Sequence, residues 1–158
     1  AAGAATADEV AVKVMGVAST STTQEMSAIQ REYSALTAAQ GGPCIIEFYG
    51  LSHVSLGDGT GPRWALVMEL IRGGDFFDLA TREVLAERAV ARVIRGLLSG
   101  LAHLHALSIV HRDVKAENVL ARGDAPGALQ PVLMDFGSAS HLSDTAEMQR
   151  HVGSPGCC

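Results

Sequence analysis

Two polar strings in the second half of the chain limit most strongly what it can become. Residues 111–118 read His-Arg-Asp-Val-Lys-Ala-Glu-Asn, and residues 135–137 read Asp-Phe-Gly. Between them lie two short strand candidates, Asn118–Leu120 and Pro131–Met134, separated by the turn-rich Gly123-Asp124-Ala125-Pro126-Gly127. The two strings therefore flank one hairpin. One short stretch carries a carboxylate that can handle a proton (Asp113) and an ammonium that can meet phosphate charge (Lys115). It also carries an amide and a carboxylate that can hold a divalent metal (Asn118 and Asp135). Transfer of a phosphoryl group from a nucleotide requires that set. Five specified residue types at fixed spacing arise by chance on the order of once in twenty thousand chains of this length, so coincidence does not account for them.

Composition narrows the class. The 158 residues suffice for one domain with a sizeable core, and 47% hydrophobic with 18% charged residues describes a globular chain rather than a disordered one. A formal charge of −5 and a pI near 5.6 argue against a nucleic-acid-binding surface. No apolar stretch is long enough to span a bilayer; the run from Gly96 to Val110 is short and contains His103 and His105. Cys44, Cys157 and Cys158 do not make a disulfide framework, which leaves reducing, cytoplasmic surroundings as the default. The chain opens Ala-Ala-Gly-Ala-Ala-Thr, without Met and without signal-peptide character, so it is expected to be part of a longer protein.

Periodicity sets the order of elements. Glu9 to Met15 alternates and reads as a strand, and residues 16–24 as a connection. From about Glu25 to Ala38, Met26, Ile29, Tyr33 and Leu36 share one helical face, and Gly41-Gly42-Pro43 stops that helix. Cys44–Tyr49 and Trp64–Leu70 read as strands joined around Gly57-Asp58-Gly59, and Gly73-Gly74 breaks the second. Residues 83–107 form the clearest helix, with Val90, Val93, Ile94, Leu97, Leu98, Leu101 and Leu104 in one stripe and Gly96 and Gly100 suited to close packing. His103 and His105 point to different helix faces, so a metal role for them is not expected. Beyond Gly137 the chain reads as a polar loop.

Four landmarks stand in a fixed order: Val10-Ala11-Val12-Lys13; Glu32 on the first helix; Leu66-Val67-Met68-Glu69-Leu70-Ile71-Arg72-Gly73-Gly74-Asp75; and the two polar strings. Together they resemble the middle of a eukaryotic-type protein kinase catalytic domain, from about Val10 to the end. The resemblance implies an α+β, bilobal fold present in part: residues 8–70 as a small lobe without its Gly-rich loop, and residues 71–158 as hinge, long helix, catalytic loop and activation segment.

It further implies ATP and Mg2+. Lys13 would meet the α- and β-phosphates, with Glu32 pairing to orient it in preference to Glu25 or Glu47. The backbone at Glu69 and Ile71 would hold the adenine edge, and Asp75 would face the ribose. Met68 would stand at the back of the pocket, with Ala11 and Leu120 above and below the base. Asp113 would orient the substrate hydroxyl, Lys115 would neutralise the transferring group, and Asn118 and Asp135 would hold the metal. Phe136 would stack with Leu36, Phe48 and His111. Alone, Lys13 could be an edge-strand surface lysine, and Ala11 and Leu120 ordinary core.

Lys115 two residues after Asp113 is the serine/threonine-specific pattern, so the implied partner is a protein substrate. The string Gly-Gly-Asp-Phe-Phe-Asp and Gly153-Ser154-Pro155-Gly156 suggest the calcium/calmodulin-dependent group. Val114 and Ala116 depart from the usual Leu and Pro, and Cys157 stands where Tyr is usual. Ser154 matches a hydroxyl that bridges the catalytic Asp and Lys. In the family the residue at Arg112 commonly binds a phosphorylated loop residue. That position falls near Arg150, which leaves Ser143, Thr145 or Glu147 to substitute. A catalytically inactive pseudokinase or scaffold is the competing reading, and a small-molecule kinase a third.

Overall fold

The computed structural model describes residues 9–17, 22–82, 84–123, 129–150 and 152. Ser154, Cys157, Cys158 and residues 124–127 of the expected turn lie outside the described residues. The first strand, β1 (Val10–Val17), alternates as its sequence demands: Ala11, Lys13 and Met15 face inward, while Val10, Val12 and Val14 are exposed. Helix α1 (Thr23–Ala39) starts with a reciprocal capping box, in which Thr22 Oγ1 accepts from Glu25 N–H at 3.2 Å and Glu25 accepts from Thr22 N–H at 2.6 Å. Ile29, Leu36 and Ala39 are buried on its inner face with Glu32 among them; Met26, expected there, is exposed in the first turn.

Strands β2 (Phe48–Val54) and β3 (Arg63–Glu69) form a hairpin whose turn is braced by Asp58, which accepts from Arg63 at 2.8 Å. The three strands make one antiparallel sheet in the order β1-β3-β2, with Lys13 opposite Leu66. The strand expected at Cys44–Tyr49 is displaced. Cys44 takes a left-handed φ of 56°, and Ile45 bridges in parallel to Leu133, so the chain first stitches onto the second half and pairs into the sheet only from Phe48.

The helix expected at 83–107 is present, and a further short helix that the sequence pattern does not predict precedes it. Helix α2 (Phe76–Arg82) starts after Gly74, with Asp75 Oδ1 accepting from Asp78 N–H at 2.8 Å, and α3 runs Glu87–Ala106. Gly96 and Gly100 on α3 allow close approach: a methyl on Gly100 would stand 2.9 Å from the Pro43 carbonyl oxygen, and one on Gly96 2.8 Å from Pro131. His103 is structural, its Nε2 lying 3.2 Å from the Ala39 carbonyl. After α3 come β4 (Ile109–Val110), a single 3-10 turn (Ala116–Asn118), and the hairpin β5 (Val119–Arg122) and β6 (Gln130–Leu133). A second 3-10 turn (Phe136–Ser138), β7 (Ser140–His141) and α4 (Thr145–Met148) follow, so the expected polar loop contains a strand paired with β4 and a turn of helix.

The core joins both halves: Leu36, Leu66, Leu104, Val132, Leu133 and Phe136 are all essentially inaccessible to solvent. The α3 stripe is only partly covered. Val93 and Leu104 are buried, whereas Val90, Ile94 and Leu98 are 41%, 48% and 59% exposed.

Candidate active site

Three elements converge on one ammonium. Lys13 projects from the inner face of β1, and its Nζ lies 2.7 Å from Glu32 Oε1 on α1 and 2.7 Å from Asp135 Oδ1 after β6. Asp135 reaches that position in a left-handed conformation, φ 58°, with Oδ1 also accepting from Gly137 N–H at 3.3 Å. Such backbone in a non-glycine residue costs of order 1 kcal/mol or more and is characteristic of functional sites. Gly137 lies against the same groups: a methyl there would stand 3.2 Å from Asp135 Oδ1 and in ordinary contact, 3.4 Å, with Glu32 Oε2.

Burial and charge compete within this triad. For Lys13, burial works against the ammonium, but Glu32 and Asp135 outweigh it and hold its pKa above the ordinary lysine value. Burial dominates at Glu32, raising its carboxyl against the opposing pull of Lys13, and Asp135 raises it further. For Asp135, burial is overcome by the Lys13 hydrogen bond and charge, so its carboxyl sits below the usual range. One cation thus serves two carboxylates unequally, and the more exposed Asp135 is the readily ionised partner.

The loop before β5 assembles the second cluster. Asn118 is buried and spends its amide nitrogen on Asp113, donating to the carbonyl oxygen at 2.8 Å and to Oδ2 at 2.9 Å. Lys115 Nζ lies 3.1 Å from the same Oδ2, a hydrogen bond that raises the Lys115 pKa. With the nitrogen so used, Oδ1 is the atom Asn118 can offer a cation, and Asp135 supplies carboxylate oxygen. Among the described residues no cluster of three or more His, Cys, Asp or Glu is arranged for a metal. Two oxygen donors fit Mg2+, which keeps water and phosphate oxygens in its shell, and do not fit a zinc cage. Behind both clusters, the His111 and Phe136 rings meet edge to face at 5.0 Å. Leu36 and Phe136 are buried, and Phe48 packs against the same core and also meets Tyr33 edge to face at 5.7 Å.

The string from Leu66 to Asp75 covers the end of β3 and the approach to α2. Met68 is buried opposite Ala11 in the sheet register, and Leu120 bridges to Asp75 across the chain crossing. Ile71 and Leu120 are half-buried against the core. Glu69 donates its N–H to the Glu47 carbonyl at 2.9 Å, and its carboxylate pairs with Arg122 at 2.6 Å. Gly73 allows the crossing, since a methyl there would overlap the Ala121 carbonyl oxygen at 2.1 Å. The structure thus brings Lys13, Glu32 and Asp135 into direct contact, and likewise Asp113, Lys115 and Asn118.

Comparison with known proteins decides the family. The model of the protein kinase domain matches residues 1–157. The chain belongs to the protein kinase family. It is 35% identical over 158 residues to the mouse phosphorylase b kinase gamma catalytic chain, liver/testis isoform, covering 96% of this chain and 36% of that relative. It is 33% identical over 130 residues to the Caenorhabditis elegans death-associated protein kinase dapk-1, 80% of this chain and 8% of the relative. It is also 36% identical over 91 residues to the Dictyostelium discoideum myosin light chain kinase A, 57% of this chain and 30% of the relative. These relatives resemble calcium/calmodulin-dependent kinases, the group suggested by the Gly-Gly-Asp-Phe-Phe-Asp string. The kinase chain spans about a third of the length of the first relative, 36%. Membership in the family implies ATP as phosphoryl donor, usually with Mg2+, and protein substrates. Among the described residues no helix is long and apolar enough to cross a membrane.

Proposed function

We propose that the chain supplies the nucleotide cleft and catalytic loop of a protein serine/threonine kinase. Residues 8–70 would form the small-lobe portion and residues 71–158 the hinge and start of the large lobe. The observation that carries this reading is the meeting of Lys13 with Glu32 and Asp135, each at 2.7 Å although Asp135 lies 122 residues away in sequence. Simple stability is a poor reason to half-bury an ammonium between two carboxylates, because desolvation offsets much of the attraction. A site that must receive phosphate charge has a use for it.

In this reading Lys13, oriented by Glu32, meets the α- and β-phosphates. Asn118 and Asp135 hold Mg2+, which supplies charge neutralisation on the phosphates. The Glu69 N–H is already committed to Glu47, so adenine contact there falls to its carbonyl, with Ile71 supplying the next backbone group. Ala11 and Leu120 enclose the base, Met68 closes the back, and Asp75 lies toward the ribose while capping α2. Asp113 receives or orients the hydroxyl proton, and Lys115, already 3.1 Å from it, stabilises charge on the transferring group. All the reacting groups that an inactive homologue would lack are present, which favours catalysis over a scaffold role. A reducing, cytoplasmic setting suits Cys44, a free thiol whose pKa burial raises.

The test is Asp113→Asn in the full-length protein. Phosphoryl transfer is expected to fall by about 10²-fold or more while Mg·ATP affinity stays within about threefold. Activity surviving the substitution would overturn the assignment of Asp113.

A further inference from the structure

Gln40 ends α1 and at the same time reaches out of it. Its backbone leaves the helical path with ψ of 146°, and its N–H meets the Thr37 carbonyl, three residues back, at 3.5 Å. The Leu36 carbonyl, four residues back, receives the Gln40 side chain, whose Nε2 donates to it at 3.0 Å. The same nitrogen donates to the Ile46 carbonyl at 3.2 Å, and Oε1 accepts from the Phe48 N–H at 3.0 Å. Both amide hydrogens and the oxygen are thus engaged, and a flipped amide would set its oxygen against two carbonyls. To residues 46–48 the carboxamide offers the donor and acceptor that a residue of a neighbouring parallel strand would offer. Leu36 and Ile46 belong to the core, where water is a poor substitute for a lost partner. Helix capping alone does not call for this reach. Gly41, with φ 77°, already supplies the left-handed residue that commonly ends a helix.

The segments that these bonds join give the clasp its consequence. Helix α1 carries Glu32, about two turns before Gln40. Residues 44–46 are stitched to β6: Leu133 donates its N–H to the Cys44 carbonyl at 2.8 Å, and Ile46 donates its own to the Leu133 carbonyl at 3.1 Å. Two residues after Leu133 stands Asp135. Ile46 therefore holds β6 by its N–H and α1 by its carbonyl. Through it, the two carboxylates that meet Lys13 at 2.7 Å are placed relative to each other. A misplacement of about 1 Å at reacting groups can cost about 10²-fold in rate, so that placement matters to catalysis. We propose that Gln40 is a positioning residue: its carboxamide clasps the C-terminal end of α1 to residues 46–48, and through them to β6, and so seats Glu32 on Lys13 beside Asp135. The catalytic consequence rests on the phosphoryl-transfer reading above; the clasp itself does not.

The experiment uses the full-length protein with Gln40→Met, Gln40→Glu, Glu32→Gln and the double variant Gln40→Met/Glu32→Gln. Methionine keeps the length and loses all three bonds; glutamate keeps the acceptor for Phe48 and loses both donors. Hydrogen exchange at the Phe48 amide and steady-state phosphoryl transfer are measured on each. Gln40→Met is expected to speed Phe48 exchange by about tenfold or more. It is also expected to lower kcat by about tenfold, with KM for the protein substrate changed less than about twofold. Gln40→Glu should lower kcat in the same way while protecting Phe48 better, and it decides the matter should the methionine variant not fold. Because Gln40 acts through Glu32, adding Gln40→Met to Glu32→Gln should lower kcat by less than about a further twofold. Unchanged Phe48 exchange in Gln40→Met overturns the clasp. Faster exchange with kcat unchanged, or losses that multiply in the double variant, overturns the positioning role. A parent protein that transfers no phosphate, with Phe48 exchange still rising in Gln40→Met, would reject the kinase reading and leave the clasp standing.

Discussion

The His111 ring is 1% exposed, with Nε2 at 3.0 Å from the Met134 carbonyl and Nδ1 at 3.4 Å from the Asp113 N–H. A neutral ring protonated at Nε2 satisfies both contacts, whereas a second proton on Nδ1 would confront an N–H donor. Burial accordingly lowers the His111 pKa, only partly offset by the Met134 hydrogen bond and the charges of Asp135 and Asp113. Below the ordinary histidine value of 6.5 the unfolded chain takes up a proton that the fold resists. The stability due to neutral His111 is therefore present above that value and lost as pH falls toward the folded-state pKa. Urea denaturation should show the parent losing stability as pH falls from about 6.5 to 5, and His111→Leu should flatten that slope; equal slopes would contradict the account. Residue identities in the triad were legible where local chemistry sorted the candidates. Glu25 is consumed by its own helix cap and Glu47 is exposed on a connection, leaving Glu32 on the buried face one turn before Leu36. The contact of Lys13 with Asp135 was not legible, because the two lie 122 residues apart and meet only in space.

Helix α1 carries Glu32 into the site, and its capping box begins at Thr22. Thr22→Ala removes the oxygen that receives the Glu25 N–H and is expected to cost about 1 kcal/mol of unfolding free energy, measured by urea denaturation near neutral pH. A loss under about 0.3 kcal/mol would mean that the cap is not holding the helix. Long elements with a strong period were readable: α3 lies within the span expected from its apolar spacing, and α1 overruns its expected span by two residues at the start and one at the end. The errors came where tertiary contact overrode local pattern. Residues 44–46 are apolar enough for a sheet strand but are drawn against Leu133, and α2 hides behind a glycine pair whose second member carries a left-handed φ of 74°. Strands β4 and β7, two residues each, exist only because they find each other and leave no periodic trace.

Both halves of the molecule share one core, and two charge pairs span the crossing between them: Glu69 with Arg122 at 2.6 Å, and the exposed pair Glu9 with Arg72. The family and its overall architecture were legible because four landmarks fall in order; the α3 stripe is left partly exposed because the described residues do not cover all of its apolar side chains. Val90, Ile94 and Leu98 together open an apolar strip on a long helix. Expressed alone, the 158 residues are expected to bind a hydrophobic dye, to associate on concentration and to turn over little ATP. Robust turnover by that chain would contradict this. The central claim is that the Lys13–Glu32–Asp135 convergence serves phosphoryl transfer from ATP to a protein hydroxyl. The full-length protein should therefore be incubated with Mg2+ and γ-phosphate-labelled ATP in the presence of protein acceptors, and the labelled residues identified. Label on serine or threonine, lost when Lys13 or Asp113 is substituted, is the expected result; nucleotide binding without any labelled protein hydroxyl would contradict it.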